Sequence, residues 1–401
     1  MLETPAKSEL TAKVKGKSKT FTALNGLRFI AAMAVVVFHF APDVRGYENV
    51  SPLLQKLINE GPAAVAFFFV LSGFVLANKY LQGGRGGVDS LSEFYNSRFA
   101  RLYPAYLVAF LMFAPFAVAK YLGHSASGGP DWHTFFFAAI LNVFMLQAWT
   151  SYSQSWNGPS WSLSVEAFMY VTFPYASRHI KNLKSTARLL LIIVCWLIPA
   201  GITSAFVVGK ISKPLWETYL RNNPILWTPL FFIGIAGIYY LDSWEKVEKS
   251  KARWATILLC FAFLALAAIW PRDWLEVFIT GGVAPLFLLL ILVFTRDTTW
   301  LTKLVGGKAF DTMGQASYII YIVQAPAWHY WQAATNVLRH VPARTQIVEL
   351  WQFLLFLPLL VIFSIGIERI IEIPARRFLL GLRKKKSPLA PGTAVAQSAP
   401  Q

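Results

Sequence analysis

Long apolar runs recur along this chain, separated by short segments rich in Lys, Arg, Gly and Pro. They lie near residues 24–41, 62–80, 102–121, 133–150, 159–176, 188–208, 224–241, 254–270, 275–294, 316–334 and 348–371. A helix that crosses a bilayer needs about 20 mostly apolar residues. Eleven runs of that scale exceed anything a soluble core requires. The pattern predicts an all-α fold, a polytopic membrane helix bundle without a separate soluble domain.

Basic segments set the number of crossings. Lys7, Lys13, Lys15, Lys17 and Lys19 crowd the N-terminus, and Arg376, Arg377, Arg383, Lys384, Lys385 and Lys386 crowd the other end. Such clusters stay on the cytoplasmic side. Two cytoplasmic termini require an even number of crossings. The basic loops at Arg85/Arg98/Arg101, Arg178/Lys181/Lys184/Arg188, Lys246/Lys249/Lys251/Arg253 and Arg296/Lys303/Lys308 can all be inside under one condition. Runs 133–150 and 159–176 must share one crossing. The expectation is therefore about ten transmembrane helices plus one re-entrant or interfacial segment near 133–160. The polar, turn-rich stretch Ser151–Pro159 suits that segment, because irregular backbone at membrane depth must be buried or line a cavity. Residues 1–20 read as a disordered basic cytoplasmic tail without a signal-peptide cleavage site. Residues 21–380 read as the membrane domain. Residues 381–401 read as a basic, then Pro/Ala-rich, disordered tail.

Composition agrees. The chain of 401 residues is 56% apolar and 14% charged, against about 25% charged in soluble domains. The net charge of +17 sits mainly in loops and tails, so nucleic-acid binding is a poor reading. Trp270, Trp274, Trp328, Tyr330 and Trp331 mark run ends, as an aromatic belt would. Cys195 and Cys260 lie in apolar runs and imply no disulfide framework. No metal-ligand spacing, P-loop, nucleophile elbow or dinucleotide fingerprint is present, so no metal is expected and ATP hydrolysis is disfavoured.

Chemistry is expected where ionisable groups interrupt apolar runs, because hydrocarbon cannot solvate them. Arg28 and His39 share the first run with ten residues between them, about 16 Å along a helix axis. An imidazole can take and return a proton near neutral pH. Asp43 follows His39 by four residues, but Pro42 intervenes. Arg28 is either a snorkelling inner-end residue or a fork for phosphate or carboxylate. Arg98 and Arg101, read as a loop, would project together from a helical turn. They are positive-inside charges or a phosphate clamp. Glu166 is the one acid of its run and must be protonated, paired or wet. Ser317, Tyr318, Tyr321 and Gln324 form one helical stripe, either helix glue or the wall of a substrate path.

At these residues the chain resembles the membrane acyltransferase-3 family, which includes O-antigen and exopolysaccharide O-acetyltransferases. The shared landmarks are Asn25-Gly26-Leu27-Arg28 with His39; the Phe-Phe-Val-Leu-Ser-Gly-Phe stretch ending at Phe74; Arg98, Arg101 and Pro104; Trp161 to Glu166; Ser317-Tyr318 with Tyr321; and Glu372 with Pro374. Their order spans about residues 21–380. Two departures stand out. Gln324 occupies a position where many relatives carry histidine, and Ala167-Phe168 replaces a second acid and a Gln or Trp.

The resemblance implies an acyl-CoA co-substrate, most simply acetyl-CoA, no bound cofactor, and a hydroxyl acceptor on a carbohydrate or lipid-linked glycan. It implies His39 as general base, with Arg28 and Glu166 completing the catalytic set. Arg98, Arg101 and Ser72 would serve the acyl donor. Trp161, Ser162, Ser164, Tyr318, Tyr321 and Gln324 would line the acceptor path. An acyl-enzyme on Ser72 or Ser162 is a further option. A bacterial inner membrane is the implied location. Two other classes fit a ten-span fold: a transporter or flippase of polysaccharide precursors, and a non-catalytic membrane partner.

Overall fold

The structure is a computed structural model that describes residues 20–82, 87–122, 132–296, 298–342 and 348–386. The expected N-terminal tail falls almost wholly outside the described residues, as do residues 387–401 of the expected C-terminal tail; 381–386 end the helix Ile373–Lys386. Among the described residues the fold is all-α, and Val44 and Val348 form an isolated parallel bridge.

Among the described residues, seven helices are long and apolar enough to cross a bilayer. They include α1 (Thr22–Phe40), α3 (Ala63–Leu81) and α4 (Leu91–Leu122), with α2 (Pro52–Asn59) short between the first two. An eighth span arises if Arg272–Gly282 and Ala284–Val293, bent by 54°, count as one. By length and apolarity the expected ten is therefore too high. Two more helices have the length but not the apolarity. These are α6 (Trp161–Lys181, 21 residues) and the helix Ser317–Leu338 (22 residues), each reaching about 32 Å. Ser162, Ser164 and Glu166 on one, and Ser317, Gln324 and Asn336 on the other, dilute their hydropathy. Those polar groups face the interior of the bundle, as polar membrane residues do.

Only one of the two runs expected to share a crossing is long enough. α5 (Trp132–Val143) has 12 residues, about 18 Å. Irregular backbone and short 3₁₀ turns follow, as far as Ser160. Several of its polar side chains are buried and donate hydrogen bonds. Asn142 donates to Ser155 at 3.0 Å, Gln147 to the Ser160 carbonyl at 3.0 Å, and Asn157 to the Ile322 carbonyl at 2.8 Å. These bonds supply what hydrocarbon cannot.

The most extensive helix contact joins α3 to the helix Pro224–Gly237. Two glycines permit it. A Cβ on Gly73 would overlap the Phe231 carbonyl, and one on Gly234 would overlap the Val70 carbonyl. Close backbone approach of this kind drives helix packing where lipid removes the hydrophobic advantage. The residue before Gly73 is Ser72, so this seam also fixes Ser72 in the interior.

Candidate functional site

Two cavities lie inside the bundle. The first, about 250 Å³, is lined by Arg28, Ser72, Arg98, Arg101, Ser162, Glu166, Tyr170, Ser317, Tyr318, Tyr321 and Arg376, with apolar neighbours that include Val65. The second, about 480 Å³, is lined by His39, Phe38, Trp161, Trp227, Phe113, Asn222, Arg221, Thr280, Tyr321 and His329, again with Val65 among its apolar wall. Val65 and Tyr321 belong to both linings. The two chambers thus adjoin at these side chains.

α1 supplies one ionisable group to each chamber. Arg28 lies three residues after Asn25, one turn along the same face. Its Nη1 donates to Asn25 Oδ1 at 3.3 Å, and Asn25 Nδ2 donates to Asp311 Oδ1 at 2.8 Å. Asp311 therefore orients Arg28 through an amide whose direction both bonds fix. His39 sits at the far end of α1. Its Nδ1 meets Gln324 Oε1 at 3.1 Å. Asp43 does not contact His39; it accepts a bond from Trp328 Nε1 at 3.3 Å. Pro42 opens a 3₁₀ turn that carries Asp43 away from the helical register.

The arginine pair expected on a loop lies instead within α4. Arg98 and Arg101 project to one side and enter the first chamber, with the Arg98 guanidinium 5.8 Å from the Tyr170 ring centroid. Glu166 is the single acidic residue of this lining and faces four arginines. It accepts bonds from Tyr170 and, at 3.5 Å, from Ser72. Glu166 thus shares the arginine chamber and stands apart from the His39 chamber.

The remaining expected site residues divide. Trp161 lines the second chamber and Ser162 the first. Ser162 donates to the Tyr321 hydroxyl at 2.9 Å, and Tyr321 donates to the Pro159 carbonyl at 3.2 Å. Tyr318 lines the first chamber and donates to the Leu102 carbonyl at 2.7 Å. Ser164 is in neither lining. It donates to the Met145 carbonyl at 2.5 Å and serves the irregular segment. Gln324 is fully buried behind His39. Sequence reasoning counted Arg376 as a tail charge and did not single out Arg221, Trp227 or His329. An ionisable residue inside an apolar run was a signal for His329 alone; the others enter through tertiary closure.

Arginines match phosphates bidentately, so the first chamber suits a multiply charged phosphate ligand. The second has aromatic walls and two histidines, and its one arginine, Arg221, is paired with Glu276 at 2.9 Å. It suits an uncharged, hydroxylated ligand.

Comparison with known proteins gives a consistent picture. A family model described as an acyltransferase domain matches residues 21–369. Acyltransferase MdmB of Streptomyces mycarofaciens is 33% identical over 46% of this chain and 44% of its own. Peptidoglycan O-acetyltransferase OatA of Listeria monocytogenes is 26% identical over 78% of this chain and 49% of its own. An O-acetyl transferase of Shigella phage Sf6 is 26% identical over 59% of this chain and 67% of its own. The matched region spans about half the length of the first two relatives. No solved structure matches. With a family model covering most of its length and a multi-pass helical bundle to carry the motifs, the chain belongs to the membrane acyltransferase-3 family.

Proposed function

We propose that this chain is an integral-membrane O-acyltransferase. It moves an acyl group, most simply acetyl, from cytoplasmic acyl-CoA to a hydroxyl of a carbohydrate or lipid-linked glycan. The carrying observation is the meeting of an arginine-lined chamber and a histidine-lined chamber at Val65 and Tyr321. Coenzyme A is a long donor with phosphates at one end and a thioester at the other. Its phosphates match Arg28, Arg98, Arg101 and Arg376. Its narrow pantetheine arm would pass the shared wall and bring the thioester to the second chamber.

There His39 acts as general base. It takes the acceptor hydroxyl's proton as the oxygen attacks the thioester carbonyl. The carbon–sulfur bond then breaks, and the thiolate recovers the proton from the imidazolium. No covalent acyl-enzyme is needed. Ser72 and Ser162 line the first chamber and His39 the second, which favours direct transfer over serine acylation. The basic segments at both ends support cytoplasmic termini in a bacterial inner membrane, an orientation in which the arginine chamber would face the donor pool. The names of the relatives, an O-acetyl transferase and a peptidoglycan O-acetyltransferase, support a glycan acceptor.

The test is His39→Ala in purified full-length protein, with acetyl-CoA and candidate glycans and free thiol monitored. Transfer should vanish while folding and donor binding persist. Retained turnover would end the assignment of His39 as base. Glycan flux without thiol release would favour a transporter.

A further inference from the structure

We infer that Gln324 is a positioning residue that holds His39 in one neutral tautomer, with hydrogen on Nδ1 and the basic lone pair on Nε2. This rests on the proposed role of His39 as base, and it adds what sets the ring's proton and direction.

The inference follows from the hydrogen-bond chain. Gln324 Nε2 donates to the Tyr321 carbonyl at 2.7 Å. A carbonyl oxygen only accepts, so the amide nitrogen must face it. The reversed amide would set two acceptor oxygens against each other in a fully buried place. The Gln324 Oε1 atom is therefore the one that meets His39 Nδ1, at 3.1 Å. That oxygen also only accepts, so Nδ1 carries the hydrogen. A neutral imidazole then has its lone pair on Nε2. Among the described residues, Nε2 has no hydrogen-bond partner, and His39 is exposed to the second chamber.

The partner is an amide where a carboxylate would be the other common choice. A carboxylate would orient the ring and also stabilise its protonated form. Gln324 orients it without adding charge. Other titratable or charged groups facing His39 are His329, Tyr321 and the Arg221 guanidinium in its pair with Glu276. Asp43, on the same segment, is engaged by Trp328. An imidazolium formed in this setting has no neighbouring carboxylate to hold it, so it returns its proton readily to the leaving thiolate. Tyr321 ties the device to the wall between the chambers, because its carbonyl anchors Gln324 and its ring lines both cavities.

Two variants and one spectroscopic measurement test this in the purified full chain. Gln324→Leu should lower kcat by about 10- to 100-fold with donor KM unchanged, the scale of a mis-set catalytic group. Gln324→Glu keeps an acceptor for Nδ1 but sets a carboxylate oxygen against the Tyr321 carbonyl, so it should retain more activity than Gln324→Leu and less than wild type. It should also move the acid limb of the kcat profile to higher pH by about one unit, the size of a close opposite charge. Nitrogen-15 spectra of histidine-labelled wild type, assigned by loss of a signal in His39→Ala, should show His39 protonated on Nδ1 when neutral. That reading needs no activity and stands if Gln324→Leu fails to fold. Protonation on Nε2 would overturn the inference, as would wild-type kcat and pH profiles in both variants. If His39→Ala itself retains turnover, the base assignment fails instead.

Discussion

The Ser162 hydroxyl donates to the Tyr321 hydroxyl across 2.9 Å, and this bond stands where the two chambers meet. Tyr321 then donates to the Pro159 carbonyl, at the turn that opens α6. One aromatic ring is thereby held in place between an arginine-lined space and a histidine-lined one.

Shortening that ring should let water through. Tyr321→Ala merges the chambers, and acyl-CoA hydrolysis without acceptor should rise several-fold relative to transfer. Thiol release with and without acceptor measures the ratio. Tyr321→Phe should matter little, since Ser162 retains the Pro159 carbonyl at 3.0 Å; the stability cost should be about 1 kcal/mol. An unchanged ratio in Tyr321→Ala would show that Tyr321 is no barrier.

The arginines should govern donor affinity. Arg98→Ala, Arg101→Ala and Arg376→Ala should each raise donor KM by about 10- to 150-fold, since a hydrogen bond to a charged group is worth about 1.5–3 kcal/mol. Lysine replacements should recover only part of this, because an ammonium lacks the bidentate fork. Binding of a non-hydrolysable CoA analogue at fixed ionic strength is the measurement. Unaltered affinity in all three would remove the donor from this chamber.

Packing makes a separate prediction. Gly73→Ala and Gly234→Ala each force a methyl group into a facing carbonyl. Overpacking costs about 1–3 kcal/mol, and here it strikes backbone, which yields poorly. Melting temperature in detergent should drop for both. Gly366→Ala meets open space and should melt like wild type.

Glu60 gives a pH dependence outside the spans. It is 6% exposed, and its Oε2 has no hydrogen-bond partner. Burial pushes its carboxyl up to about 7, against the opposing pull of Lys56. The folded state therefore binds this proton more tightly than the unfolded chain. Stability from this group is complete below the ordinary carboxylate range and is lost as pH rises toward about 7. Glu60→Gln should match wild type in melting at pH 4 and exceed it at pH 8. Equal melting at both would show that Glu60 is already relieved by solvent.

Much of this site could be read from residue types alone. A guanidinium, an imidazole and a carboxylate inside apolar runs are costly in lipid, and all three proved to line cavities or brace their walls. The stripe on Ser317–Leu338 reached the interior for the same reason. Distribution between chambers was not legible. Glu166 could have served His39 or an arginine, and its neighbours depend on how α6 docks beside α4. Arg376 looked like one more cytoplasmic charge, since nothing local shows that the last helix folds back against α4. Among the described residues only seven or eight helices meet the span criterion, because the polar walls of α6 and Ser317–Leu338 weaken the very hydropathy by which spans are counted; with these two the bundle fits about ten.

Four guanidinium groups and one carboxylate line the first chamber, with Glu368 and Glu372 acting on Arg101 from behind, so positive charge predominates there whenever no anion is bound. A low-dielectric enclosure does not tolerate such an excess for long. The resting protein would draw in chloride, inorganic phosphate or whatever small counter-ion its surroundings offer. Loading the donor then becomes an exchange of one anion for another, and its apparent affinity will depend on the buffer as much as on the arginines.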